Sequence, residues 1–143
     1  MKQPLKHITS LALATTLITS AIAQEKTTDA SIKTMPPSVV KTVPQAGDTA
    51  VDPALKEIKV TFSKDMITDR MWSFCQISKK TFPESAGKIH YLADKRTCVM
   101  PVKLEPGKTY VIWINRAQYN SFRDTDNHPS VPYLLVFQTL PKP

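Results

Sequence analysis

The stretch Leu104–Asn115, LEPGKTYVIWIN, decides the fold. Pro106 presets a turn, Gly107 supplies a permissive backbone, and Tyr110, Val111, Ile112, Trp113 and Ile114 are the aromatic and β-branched types that suit a pleated surface. No other strand-favouring run in the sequence is as long, so it reads as a central strand. With a period of two, Tyr110, Ile112 and Ile114 share one face while Val111 and Trp113 share the other. A tyrosine just past such a turn can also tie the turn to its strand through the phenol hydroxyl.

Working outward from this strand, the pattern recurs in shorter pieces. Toward the N-terminus, Glu57–Phe62 alternates cleanly, with Ile58, Val60 and Phe62 on a core face and Glu57, Lys59 and Thr61 on a wet one. Val39-Val40, closed by Pro44, reads as a short edge strand, and Gln45–Pro53 is turn chemistry around Gly47 and Asp48. Ser63–Arg70 is expected to make a single helical turn capped by Ser63 or Asp65, before Met71–Ile77 returns to strand. Lys79–Gly87 is expected as a loop, Lys88–Leu92 as a short strand and Thr97–Val102 as another, with Pro101 predicting an edge or a bulge. Toward the C-terminus, Asn115–Pro132 is a polar connection and Tyr133–Thr139 (YLLVFQT) closes the domain. About seven short strands without a convincing long helix predict an all-β protein, a single β-sandwich.

The first 23 residues have a different character. Lys2 and Lys6 form a basic start, Ile8–Ala23 is an apolar run rich in Thr and Ala, and Ala21-Ile22-Ala23 offers small residues before Gln24. This is the pattern of a signal peptide cleaved before Gln24, and the run is too short and too rich in hydroxyls for a membrane span. No Cys follows it, so no lipid anchor is expected, and the mature chain is expected to be periplasmic or secreted. Gln24–Met35 is polar and aperiodic, a flexible lead-in to a domain over 36–140. With Lys2 and Lys6 counted out, the formal charge of +7 falls to +5. It is spread thinly, with no basic run beyond the leader longer than a pair such as Lys79-Lys80, which argues against nucleic acid as a partner. With three glycines in the whole chain there is no material for a phosphate loop.

Several motifs, taken in order, resemble a known family. Pro37-x-Val39, Val43-Pro44-x-x-Gly47, Val51-Asp52-Pro53, Ile58-x-Val60-Thr61-Phe62-Ser63-x-x-Met66, Leu104-x-Pro106-Gly107-x-x-Tyr110, Phe122-x-Asp124 and Phe137-x-Thr139 resemble bacterial Ig-like domains of the S-layer-protein type over Pro36–Leu140. The resemblance implies a seven-stranded immunoglobulin-like sandwich without an active site, appended to or repeated in envelope and secreted proteins. Pro44-x-x-Gly47 and Phe62-Ser63 are also similar to the periplasmic copper-resistance protein C family. There an N-terminal His and an Asp-x-His pair bind Cu(II). Asp126-Asn127-His128-Pro129 lies in the corresponding neighbourhood, but Gln24 stands where the N-terminal His would be. Two ligands on one loop make a poor tetragonal copper site, and the same four residues are ordinary turn chemistry. No metal and no cofactor are therefore expected, with a copper carrier kept as the alternative function.

Catalytic chemistry is hard to assemble from what remains. Beyond the leader the only histidines are His90 and His128, no Ser lies in a nucleophile elbow, and no carboxylates are paired by spacing. The chain reads as a non-enzyme. Cys75 and Cys98, an even count in an oxidising compartment, are expected to form a disulfide, two free thiols or a redox pair being the alternatives. The aromatic residues give the functional lead. Trp113 and Val111 face away from the core, Leu134 and Val136 join them from the last strand, and Trp72 and Phe74 follow if Cys75 points inward. The opposite possibility is that Trp72 and Phe74 are core. An outward cluster of this kind marks a contact surface, so the expected function is a monomeric binding or scaffold module that meets an envelope or extracellular protein.

Overall fold

The computed structural model describes residues 29–143, and the expected leader at 1–23 lies outside the described residues. Alternation becomes two antiparallel sheets built from eight strands: β1 (Val39–Val43), β2 (Glu57–Phe62), β3 (Phe74–Gln76), β4 (Glu84–Ser85), β5 (His90–Tyr91), β6 (Thr97–Lys103), β7 (Thr109–Ile114) and β8 (Tyr133–Gln138). One sheet runs β1-β2-β6 with β4 and β5 sharing the far side of β6; the other runs β3-β7-β8. No helix occurs among the described residues. The turn expected over Ser63–Arg70 is instead an irregular crossing, in which Met66 bridges Asp124 and its N–H bonds the Lys95 carbonyl.

The core lies between the sheets, filled by alternate residues from both. Ile58, Val60 and Phe62 of β2 and Cys98, Met100 and Val102 of β6 face Tyr110, Ile112 and Ile114 of β7 and Leu135 and Phe137 of β8, all buried. Each such side chain contributes roughly 1.5–3 kcal/mol by leaving water. Phe122, from the long β7–β8 connection, plugs one end, with its ring centroid 4.9 Å from Phe62 and 5.1 Å from Phe74.

β6 is not an edge, contrary to the expectation from Pro101. Its neighbours are β2 on one side and the pieces β4 and β5 on the other. Val102 N–H bonds Lys56 toward β2, so the missing donor of Pro101 falls on the opposite side, where the partner strand is broken between β5 and β4. Gly87 crosses that break, and a side chain there would begin 3.2 Å from the Pro101 ring.

The opening turn of β7 is locked by a tyrosine corner. Tyr110 Oη accepts the N–H of Glu105 at 2.8 Å, and its buried ring stacks on Phe137 at 5.3 Å. Gly107 sits at φ +64°, a conformation glycine adopts without strain, and its N–H reaches the Leu140 carbonyl. Thr139 Oγ1 donates to the Glu105 carbonyl at 2.6 Å, so the corner also fastens the end of β8.

Candidate functional site

The outer face of the three-stranded sheet is built by register. Val111 lies opposite Val136, and Trp113 lies between Leu134 on β8 and Cys75 on β3. These side chains project away from Tyr110, Ile112 and Ile114, and Val111, Trp113, Leu134 and Val136 stand outside the core cluster. Leu134 is exposed and the other three are half-buried. Trp113, Arg116, Ala117 and Pro132 surround a shallow hollow of about 210 Å³ beside the row.

Two residues expected on this face are not there. Phe74 pairs with Ile114 and meets Phe122 edge-to-face, and Trp72 likewise packs against the core. The reversal has one cause: Cys75, opposite Trp113, is on the outward side, so its neighbours in β3 turn inward.

The same parity removes the expected disulfide. Cys98 points into the core from β6, whereas Cys75 points out from β3, in the other sheet. Both are free thiols. A disulfide needs β-carbons that face each other across about 4 Å, and these are on opposite sides of a sheet. Burial pushes the Cys98 thiol up to about 12, only slightly offset by the Val99 N–H, so it stays protonated and packs as a small apolar group. Burial also raises the Cys75 thiol, with Arg116 acting the other way.

The Asp126-His128 loop forms around a different residue, Asp124, whose carboxylate is buried. It accepts the N–H groups of Asp126 at 3.0 Å and His128 at 2.8 Å, receives the Lys64 ammonium, and lies 3.1 Å from His128 Nδ1. Burial is the largest influence on this carboxyl and works against the charge, but the bonds from Lys64 and His128 outweigh it and hold the group below the ordinary carboxylate range. Lys64 Nζ reaches further, to the carbonyls of Lys33 at 3.1 Å and Met35 at 2.9 Å. One ammonium thus pins the chain's approach to β1 onto the β7–β8 connection.

Asp124, Asp126 and His128 offer ligand atoms within 4.8 Å of one another, the one such group among the described residues. The donor set does not fit a divalent cation, because the Lys64 ammonium already holds the Asp124 carboxylate and backbone N–H groups take its remaining lone pairs. A metal there would meet a positive charge first. The loop's other anchor is Asn115, buried at φ +60°, whose amide donates to the carbonyls of Phe122 and Ser130 and accepts the Phe122 N–H. Neither Lys64 nor Asn115 stands out in the sequence as more than a surface lysine and the start of a polar connection.

A family model described as "bacterial Ig-like domain" matches residues 33–139. Among solved structures, the S-layer protein rSbsC is similar at 21% identity and a TM-score of 0.46, over 76% of this chain and 14% of that one. None of the curated proteins matches the chain.

Proposed function

The chain belongs to the bacterial Ig-like domain family, and from that premise we propose that it is a non-enzymatic binding and scaffold module, active at the cell envelope through the outer face of its three-stranded sheet. The row Val111, Trp113, Leu134 and Val136 carries this reading, because it is an apolar surface that the domain's own core does not use. Contiguous apolar surface on a soluble domain marks contacts, and a Trp at its centre is a large, rigid anchor of the type that dominates protein interfaces. The partner is a protein of the envelope or the extracellular space, met by a monomer. The location rests on the leader-like residues 1–23. The reading as a non-enzyme is supported by Asp124, the buried member of the cluster with Asp126 and His128, whose carboxylate is taken up by Lys64 and by the backbone and ring of His128.

Capture from envelope extract tests the proposal. The full chain as bait should retain a specific partner, and Trp113→Ala should lose it while costing no more than about 1 kcal/mol in urea unfolding. Equal capture by both proteins would remove the face from the function.

A further inference from the structure

The three-stranded sheet has a second unused surface, the outer edge of β3. Asn115 N–H bonds the Ser73 carbonyl, so Ser73 and then Cys75 are the residues bonded to β7. By the alternation of an antiparallel ladder, Phe74 and Gln76 direct their N–H and C=O groups away from it. No strand of the described residues lies on that side. Beyond Gln76 the chain loops out and resumes bonding β7 only at Thr81.

A cleft of about 440 Å³ runs beside this edge, where the two sheets part. Trp72, Phe74, Phe82, Ile89 and Met100 line it, with Tyr119 at its rim and no charged side chain in its wall. The charges stand at its ends. Arg116 neighbours Tyr119 and Cys75, while Lys79 and Lys80 follow Gln76; none of the three forms an ion pair with any described residue.

We propose that the β3 edge accepts an extended acidic peptide segment as a fourth strand of this sheet. Its backbone pairs with Phe74 and Gln76, one large apolar side chain enters the cleft, and carboxylates on its flanks meet Arg116 and the two lysines. Main-chain bonds supply affinity in such strand addition and the side-chain pocket supplies selectivity. A second copy of this chain is the poorer occupant, because antiparallel pairing of two β3 edges sets the Arg116 end of one copy against the lysine end of the other. The edge adjoins the Trp113 face only at Arg116 and does not depend on that face's role.

The probe is a fluorescent heptapeptide with a central Phe between Val residues and two Glu at each end, titrated into the full chain by anisotropy. Saturable binding is expected, weakened about tenfold or more when the Phe is replaced by Ala, when the Glu residues are replaced by Lys, or when the ladder amides are N-methylated. Phe82→Ala and the pair Lys79→Glu, Lys80→Glu should weaken it comparably, and Trp113→Ala should leave it unchanged. The N-methylated peptide keeps the test independent of any variant's folding. Absence of binding, indifference to N-methylation, or loss of binding in Trp113→Ala would each overturn the proposal, as would self-association through the edge in sedimentation.

Discussion

The two ends of the sandwich are closed by opposite means. At one end Tyr110 reaches Glu105, five residues away, through a neutral hydrogen bond that belongs to a single turn. At the other, Lys64 reaches Asp124 across sixty residues, and the pair is ionic, buried and shared with the carbonyls of Lys33 and Met35. A local neutral lock removes little from water and is legible in a short motif. A remote charged clasp is costly to desolvate, so it stabilises only while every partner is present.

Breaking the clasp is the sharpest test of this contrast. Lys64→Met leaves a buried carboxylate without its counter-charge and should cost about 3–5 kcal/mol in urea unfolding at neutral pH. A loss below about 1 kcal/mol, the range of exposed pairs, would make the two ends equivalent. Ile112→Ala, between them, sets the scale for ordinary core packing and should cost about 2–5 kcal/mol.

Acid should then separate the ends by sign. The folded Asp124 carboxyl titrates below its unfolded value, so its contribution is complete above that value and fades as pH falls through the folded one. The gap between wild type and Lys64→Met should therefore narrow below about pH 4, where carboxylates of ordinary affinity take up protons. Tyr110→Phe, which leaves the Glu105 N–H without its acceptor, should cost about 1–2 kcal/mol and keep the same gap across that range. The smallest effect belongs to Trp113→Ala, within about 1 kcal/mol, as at positions outside the core. If it exceeds Ile112→Ala, β7 faces the other way.

The same contrast explains what could be read in advance. The faces of β2, β7 and β8 follow from alternation within a few residues, and the Tyr110 corner from a turn five residues long. β3 has three paired residues and no turn to fix its phase, so the placing of Trp72 and Phe74 hangs on Cys75, and an even cysteine count, from which the disulfide is expected, does not tell on which side of a sheet each thiol lies. Pro101 signalled a missing donor correctly. What no local pattern could give was that the neighbouring strand, rather than β6, would break to accommodate it. Lys64, Asn115 and Asp124 matter through partners fixed only once both sheets exist. Phe122-x-Asp124 was visible as a motif, but its meaning as plug and clasp was not.

The chain enters the fold beside Asp124, where Lys64 holds Met35, and leaves it beside Gly107, where Leu140 is bound. Tension applied between those two points runs along the strands. The ladders of β1 and β8 are then loaded in shear, many bonds resisting at once, instead of being peeled open one by one. The Lys64 clasp lies ahead of β1 on that line and is the first connection to feel the pull.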